Sequence, residues 1–350
     1  MPCMKNLYPL LFQPNLHPVV WGGRRLRPYK GLEANNEPIG ESWEVSAVPS
    51  STSIVSNGEW SGQPLTEVIA SDPQAWLGKS VAEKYGNQLP LLVKFIDAEK
   101  DLSIQVHPND EMAMRSHGKM GKTEMWYVID ARPGSFLYAG FEKQITPDEY
   151  RQRVEEGTIM EVLAKHSVKP GDVFFLPAGR VHAICGGILL AEVQQSSDVT
   201  YRIFDYNRPG MDGKPRELHT ALAAEALDYE VQSEYRTVYR TQENRANHMI
   251  DSPYFSVRVT DISRPFHRSL MKYDSFIISM CIAGDCHIRM RSTGHDILLR
   301  QGHSCLIPAA IADYDVIPAA NHSLMLDAYL DNMDRSITGM VTRFLHITEK

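Results

Sequence analysis

The feature that most constrains the fold is a short frame that occurs twice. Residues 171–177 read GDVFFLP and residues 302–308 read GHSCLIP, each an apolar run between a glycine and a proline. Such a run, bounded by two residues that favour turns, indicates a strand between turns. Two copies in separate parts of the chain therefore predict two β-domains of similar construction.

The rest of the chain fits this picture, because short β-branched runs alternate with Gly, Pro, Asn and Asp. The expected strands are residues 91–96, 103–107, 124–130, 172–176, 188–194 and 256–261. Helical patterns are few, and we expect them at residues 65–70, 74–85, 147–157 and 215–227, with a loop or short helix at 111–120. The pattern predicts an all-β fold with a few peripheral helices. A polar stretch at residues 240–247 is the expected linker, which divides the chain into domains 1–240 and 241–350.

Composition excludes several classes of protein. The chain has 350 residues, 43% of them hydrophobic, which is enough for two cores. A net charge of −7 gives no basic surface for nucleic acid. We expect no membrane span, because no apolar run is long enough, and no secretory segment at the N-terminus. Five cysteines, an odd number without a Cys-x-x-Cys pair, predict reduced thiols in a cytoplasmic protein.

Four residues on predicted strands could bind a metal ion. Gln105 and His107 alternate with Ile104 and Val106, so they share one strand face. Glu124 opens another strand, and His182 follows the first glycine–proline frame. Two imidazoles and a carboxylate form a common divalent-metal set, to which Gln105 could add a neutral oxygen. The second frame has Asp313 at the place of His182, so we expect no metal site there.

These segments resemble those of the type I mannose-6-phosphate isomerases, in the cupin superfamily. The family's Gln-x-His-Pro segment matches residues 105–108, its Lys/His-x-Glu segment matches 122–124, and its Glu-x5-Asp-x3-Arg segment matches Glu192, Asp198 and Arg202. Residues 38–44 and 91–96 are also similar to family segments. The usual cupin Asn four positions after the His is absent, since Gly186 stands there. The inserted helical domain of the longer eukaryotic and enterobacterial enzymes is missing, which is typical of the short bacterial form.

The resemblance implies two cupin-type jelly-roll β-barrels, the second degenerate, and an enzyme that interconverts mannose 6-phosphate and fructose 6-phosphate through a cis-enediol. It implies one divalent metal ion, with Zn²⁺ expected, on His107, Glu124, His182 and Gln105. It makes Arg202, Lys94, Lys122, Glu192 and Asp198 active-site residues. We expect Arg202 to face the enediolate and Glu192 to be the general base, with Asp198 next. A monomer or homodimer is expected, and residues 39–44 should serve structure, with Trp43 in the core.

Two other functions fit the metal residues alone. A non-catalytic cupin could bind a sugar phosphate without proton exchange, although Glu192, Asp198 and Arg202 argue against it. An iron-dependent cupin oxygenase also uses two histidines and a carboxylate. The cations Lys94, Lys122 and Arg202 favour a phosphorylated substrate over an oxygenase substrate.

Overall fold

The computed structural model describes residues 7–269, 273–311 and 313–331. Within them the fold is mostly β, with short helices between the strands. The helices are α1 (Leu26–Tyr29), α2 (Leu65–Ser71), α3 (Pro73–Leu77), α4 (Lys79–Tyr85), α5 (Asp110–His117), α6 (Pro147–Glu156) and α7 (Thr220–Ala226), with 3-10 turns at Pro49–Ser51, Gly58–Trp60 and Ile159–Val162.

The strands are β1 (Leu10–Leu11), β2 (Leu16–Gly23), β3 (Ile39–Val45), β4 (Leu91–Ala98), β5 (Ile104–Val106), β6 (Glu124–Ala131), β7 (Phe136–Phe141), β8 (Leu163–Ser167), β9 (Val173–Leu176), β10 (His182–Ile184), β11 (Ile188–Gln195), β12 (Tyr201–Phe204), β13 (Arg245–Asp251), β14 (Ser256–Ile262), β15 (Phe266–Ser269), β16 (Ile277–Ala283), β17 (Cys286–Met290), β18 (Asp296–Leu299), β19 (Ser304–Ile307), β20 (Asp313–Pro318) and β21 (Ser323–Tyr329).

The strands form four sheets. A five-stranded sheet, β12-β5-β10-β7-β8, and a six-stranded sheet, β2-β3-β4-β11-β6-β9, belong to the first half of the chain. The second half forms a six-stranded sheet, β1-β19-β16-β21-β14-β13, and a four-stranded sheet, β15-β20-β17-β18. Strand β1 pairs with β19, so the beginning of the chain joins the sheet of the second half.

Apolar side chains join these sheets into stacked layers. The two six-stranded sheets share one core, where Val93 and Ala191 of the first half and Val259 and Leu326 of the second belong to one cluster. A second cluster joins the two sheets of the first half and a third joins those of the second. Burial of continuous apolar area is the main favourable contribution to such a stack.

The sequence correctly predicted a mostly β fold with few helices, whereas the expected closed barrels are not observed. None of the sheets formed by the described residues closes on itself. The edges of the first six-stranded sheet explain part of this difference. Strand β2 carries two register shifts and contains Pro18, which has no N–H to give to a further strand. Strand β9 is covered by an isolated bridge from Phe174 to Arg236.

The outer face of the five-stranded sheet packs against helices, which sets the direction of its side chains. Ile104 and Val106 of β5 cluster with Met112 of α5, Tyr150 of α6 and Ala223 of α7. Because neighbouring residues of a strand point to opposite faces, Gln105 points away from these helices and towards the other sheet. The alternation expected from the sequence is therefore confirmed.

The helix boundaries differ from the prediction in two places. The helix expected at residues 74–85 is divided at Gly78 into α3 and α4. Helix α6 begins as expected, with the Thr146 hydroxyl accepting a hydrogen bond from the Glu149 N–H. The helix expected at residues 215–227 begins only at Thr220, because Pro215 forms a bridge with Pro209 and Arg216 binds the Asp205 carboxylate. These interactions hold the preceding residues out of the helix.

Composition predicted reduced cysteines and no membrane span. Cys185, Cys281, Cys286 and Cys305 are buried and free, whereas Cys3 lies outside the described residues. No helix in the described part of the chain is long and apolar enough to cross a membrane.

Candidate metal centre and active site

A cavity of about 210 Å³ lies between the two sheets of the first half of the chain. Two rows of side chains line it, each built by cross-strand pairing. In the five-stranded sheet, Gln105 lies opposite both His182 and Arg202. In the six-stranded sheet, Glu192 lies opposite both Lys94 and Trp126. Residues directly opposite each other in antiparallel strands carry their side chains on one face, so each row presents its functional groups together.

His107, Glu124 and His182 form a compact set next to the cavity, in contact with its lining residues Gln105 and Lys122. One possible ligand atom of each residue lies within 4.8 Å of those of the other two. The His107 Nε2 is 3.4 Å from one Glu124 oxygen, and the His182 Nε2 is 3.3 Å from the other. All three side chains are at least 98% buried. The sequence therefore correctly predicted that these three residues come together.

Main-chain hydrogen bonds orient both imidazoles. The Nδ1 of His107 donates to the Val199 carbonyl at 2.9 Å, and the Nδ1 of His182 donates to the Arg180 carbonyl at 2.8 Å. A carbonyl oxygen only accepts, so each Nδ1 carries the hydrogen and each Nε2 keeps its lone pair. Both lone pairs are therefore available at the side where Glu124 lies.

This arrangement fits a cation. Burial lowers the pKa of His107 to about 3 and also lowers that of His182, so both rings are neutral at neutral pH. Two imidazole lone pairs then face carboxylate oxygens, and all of these atoms are acceptors. Such an arrangement is favourable when a positive ion lies among them. Two nitrogen donors with a carboxylate suit a transition metal better than Mg²⁺ or Ca²⁺, which prefer oxygen ligands.

Gln105 lies beside this triad. Its side-chain Nε2 is 3.3 Å from the His182 Nε2, and its Oε1 accepts a hydrogen bond from Ser103 at 3.2 Å. The two ends of an amide are exchangeable by rotation about the last side-chain bond. The Gln105 side chain can therefore present either end to the lone pair of His182.

Lys122 balances the charge of the triad. Its ammonium is 2.9 Å from a Glu124 oxygen, and the side chain is largely buried. Burial lowers the pKa of Lys122, but the nearby Glu124 and Glu192 outweigh this effect and the net pKa is raised. The residue is therefore a permanent cation at the inner end of the cavity.

Glu192 is the buried carboxylate of the opposite row. Burial raises its pKa and the negative charge of Glu124 adds to this, while Lys122, Lys94 and a hydrogen bond from Trp126 act in the other direction. The net pKa lies above the ordinary value for a glutamate. The Trp126 Nε1 donates at 2.9 Å and the Lys94 ammonium is 3.7 Å from the other oxygen. A carboxylate with a raised pKa is suited to take up and release a proton.

Arg202 and Asp198 lie at other parts of the cavity wall. The Arg202 guanidinium donates to the Glu217 carbonyl at 2.8 Å, and burial together with Arg216 lowers its pKa. Asp198 binds the Lys119 ammonium at 2.6 Å and is one-third exposed. Because Asp198 already has a cationic partner near solvent, it is less well placed than Glu192 to act as a base.

Known proteins of one family are similar to most of this chain. Residues 10–133 match the model for the phosphomannose isomerase type I catalytic domain, and residues 244–319 match the mannose-6-phosphate isomerase cupin domain. Mannose-6-phosphate isomerase ManA of Bacillus subtilis is 35% identical over 309 residues, which are 87% of this chain and 95% of the relative. The chain belongs to the type I mannose-6-phosphate isomerase family.

A further relative and a solved structure are similar over most of their length. A mannose-6-phosphate isomerase of Streptococcus mutans is 34% identical over 90% of this chain and 98% of its own. A crystal structure of mannose 6-phosphate isomerase from Bacillus subtilis superposes with a TM-score of 0.82 at 30% identity, covering 91% of this chain and 99% of that one. The resemblance found in the sequence motifs is therefore confirmed.

The expected active-site residues did not include three residues that contact the predicted site. Trp126 and Glu41 bind Glu192 and Lys94 respectively, and Arg216 lines the cavity next to Arg202. Trp126 is two positions from Glu124, so its strand face could be predicted, but its pairing with Glu192 depends on sheet register. Trp43, expected in the core, is half-buried and lines the cavity, where its ring lies 4.5 Å from the Lys94 ammonium.

Proposed function

We propose that this chain interconverts mannose 6-phosphate and fructose 6-phosphate by proton transfer through a cis-enediol. The observation that carries this proposal is the pair of facing rows in the cavity. One row carries Gln105, His182 and Arg202, and the other carries the buried carboxylate of Glu192. A base, fixed cations and a metal-competent triad around one small polar cavity are what an aldose–ketose isomerisation requires.

In this proposal Glu192 is the general base. Its carboxylate takes the proton from C2 of the aldose and returns it to C1, while the C2 oxygen gives up its proton and the C1 oxygen gains one, so that the enediol becomes the ketose. Lys94, 3.7 Å from Glu192, keeps that carboxylate ionised in the buried site. Arg202 faces the oxygen on which negative charge develops, and Lys122 holds Glu124 in place. Asp198, at the cavity wall and paired with Lys119, shapes the entrance of the cavity and does not move the proton.

We propose that His107, Glu124 and His182 hold one divalent metal ion, with zinc as the expected ion and Gln105 as a neutral neighbour or fourth ligand. When bound, the metal supplies positive charge that polarises a substrate oxygen or orders a water molecule. The buried acceptor atoms of the triad support this proposal, since the His107 Nε2 and both Glu124 oxygens form no hydrogen bond and, among the described residues, Lys122 is the one lysine or arginine that pairs with Glu124.

The proposal also covers the domain division, the fold of each half, the substrate class, the location and the assembly state. Residues 1–240 form the catalytic domain and residues 241–350 a degenerate domain without a metal site. Each pair of facing sheets is a cupin-type jelly roll in an open, two-sheet form. The substrate is a sugar phosphate, the protein acts in the cytoplasm as a monomer or homodimer, and neither nucleic acid nor a membrane takes part. Proteolysis within residues 240–247 tests the division, and sedimentation tests the assembly state.

A coupled assay tests the activity directly. Purified protein loaded with zinc should convert mannose 6-phosphate, and a chelator should abolish the rate until metal is added back. In deuterium oxide the product should carry solvent deuterium at the exchanged carbon, which a sugar-binding cupin would not produce. Absence of turnover with every divalent metal tried would overturn the proposal. Oxygen uptake by iron-loaded protein would instead favour an oxygenase.

A further inference from the structure

A second cavity, of about 320 Å³, lies where the two halves of the chain meet. We call it the interdomain cavity. On one side are Lys30 and Glu44 of the first half, and on the other are Arg300, His303 and Ser304 of the second half. It is larger than the cavity of about 210 Å³ that Glu192 and Arg202 line. It is therefore spacious enough for a small organic molecule.

The walls of the interdomain cavity combine an apolar side with a polar side. The apolar part comes from the N-terminal segment and the second-half strand β18, with Trp43 between them. Its residues are Leu11, Phe12, Pro14, Trp43 and Leu298. Small-molecule sites commonly have this composition, with a mostly apolar lining and a few polar groups that fix orientation.

Two polar groups in this cavity lack a partner among the residues that the structure describes. Ser304 is 3% exposed, and its hydroxyl forms no hydrogen bond. Arg300 is exposed at the cavity wall, and no acidic side chain of the described ranges forms an ion pair with it. Buried hydroxyl groups normally find a partner. A hydroxyl and a guanidinium without partners in the lining of one cavity point to a ligand with an anionic group.

The remaining charges are already balanced. The Lys30 ammonium binds the Glu44 carboxylate at 2.5 Å and also the Gly302 carbonyl. The Nδ1 of His303 donates to the Gln301 carbonyl at 3.1 Å, which leaves its Nε2 as an acceptor. The cavity thus offers one uncompensated positive charge, a hydroxyl and an acceptor. This set matches a phosphate group attached to a hydroxyl-bearing carbon skeleton.

We propose that the interdomain cavity is a second ligand site for a small phosphorylated sugar or polyol. Arg300 and Ser304 bind the phosphate group, and His303 accepts a hydroxyl hydrogen. Phe12 and Trp43 contact the carbon skeleton.

Trp43 connects this site to the proposed catalytic site, because it lines both cavities. Its Nε1 donates to Glu41 at 2.7 Å, and the Lys94 ammonium lies 4.5 Å from the centre of its ring. Lys94 in turn is 3.7 Å from Glu192. A ligand that contacts Trp43 therefore changes the position of Lys94 relative to the Glu192 carboxylate, and so changes kcat. This coupling rests on the proposed function, whereas ligand binding in the interdomain cavity does not.

Titration calorimetry of the metal-loaded protein with glucose 6-phosphate tests the binding. Glucose, which lacks the phosphate, and inorganic phosphate, which lacks the sugar, serve as comparisons. We expect two sites per chain for glucose 6-phosphate. Arg300→Ala should weaken the second site by roughly tenfold or more, since it removes a charge-assisted contact. Leu298→Trp, which fills the cavity, should remove that site. Arg291→Ala, at an arginine paired with Asp315 outside the cavity, should behave as the unmodified protein.

Kinetics with mannose 6-phosphate separate the two sites. Glucose 6-phosphate in the catalytic cavity raises KM alone, whereas in the interdomain cavity it changes kcat. Arg300→Ala should keep the basal kcat and lose the kcat effect. A single site in the unmodified protein, or two sites of unchanged affinity in Arg300→Ala, overturns the proposed site. Binding at two sites without a kcat effect overturns the coupling. Two sites without any basal turnover would overturn the proposed function and leave the second site standing.

Discussion

At the scale of single residues, the site depends on main-chain groups that fix each imidazole. The carbonyls of Val199 and Arg180 hold the Nδ1 atoms of His107 and His182, so each Nε2 is directed at the Glu124 side. Outer hydrogen bonds of this kind fix the tautomer of a ligand and raise its basicity. The two imidazoles are thus fixed by the protein itself.

His107→Ala removes one of the three groups that would hold the metal. We expect metal content per chain to fall to near zero and turnover to fall by about a thousandfold or more, because two protein ligands do not form a closed set. Elemental analysis of dialysed protein measures the first effect and the coupled assay the second. His248→Ala, at a half-exposed histidine paired with Asp251, is the control. Retention of full metal content in His107→Ala would contradict the assignment.

Trp126→Phe changes the pH dependence of the proposed reaction. The Trp126 N–H stabilises the ionised form of Glu192 and so lowers its pKa. Without this donor the pKa rises, and a larger fraction of the base is protonated at any acidic pH. We expect the acidic limb of kcat/KM to move to higher pH by about one unit, with activity restored at alkaline pH.

Glu192→Gln provides the comparison for this experiment, because its amide cannot ionise. It should show no recovery of activity at any pH. An unchanged acidic limb in Trp126→Phe would show that Glu192 does not control that limb.

The sequence identified the individual groups of the site better than their contacts. His107, Glu124 and His182 could be found because turn and strand patterns surround them. The pairing of Glu192 with Lys94 and Trp126 could not, since it depends on register across three strands that are distant in sequence. Arg216 follows a loop whose conformation depends on its bonds to Asp205. Local residue patterns carry no information about such long-range pairing.

At the scale of elements, the turn before β10 links His107 to His182, two of the three residues that we propose hold the metal. The Gly179 N–H donates to the His107 carbonyl at 2.9 Å, three residues before His182. Gly179 has a φ of +90°, and an added Cβ would lie 3.0 Å from the Ala226 carbonyl oxygen. Only glycine adopts this conformation without strain. Gly179 is thus required by the position of both histidines.

Gly179→Ala should therefore reduce both stability and metal affinity. We expect a loss of roughly 1–3 kcal/mol in the free energy of unfolding, measured by urea denaturation, and a clear loss of zinc affinity in a competition assay. Gly171→Ala is the matched control. Gly171 has a similar φ of +88°, but a Cβ there would meet only the Tyr239 hydroxyl at 3.6 Å. The control should lose stability and keep zinc affinity, and equal zinc affinity in both variants would contradict the argument.

The start of a short helix was harder to predict than the faces of a strand. The period-two alternation of β5 predicted that Ile104 and Val106 share one face and Gln105 the other, and this was correct. Helix α7 was predicted to begin too early, because its helical pattern continues into residues that the Pro209–Pro215 bridge holds extended. Tertiary contacts decide such boundaries, and residue propensities are too weak to oppose them.

At the scale of the whole molecule, the two halves are joined by more than an apolar interface. Strand β1 pairs with β19, and Lys30 connects Glu44 of the first half to the Gly302 carbonyl of the second. The two six-stranded sheets share a core. We therefore expect the halves to unfold together. The five tryptophans all lie before residue 127, so fluorescence follows the first half, whereas far-ultraviolet circular dichroism follows both.

Lys30→Met tests this connection. It leaves the Glu44 carboxylate, only 6% exposed, without its cation, and removing one partner of a buried pair costs about 3–5 kcal/mol. We expect fluorescence and circular dichroism to move together to lower urea concentration. Lys30→Met combined with Glu44→Gln should recover much of the loss, because no buried charge remains. Lys79→Met, at an exposed lysine, should change stability by less than about 0.5 kcal/mol. Separate transitions for the two signals would show that the halves unfold independently.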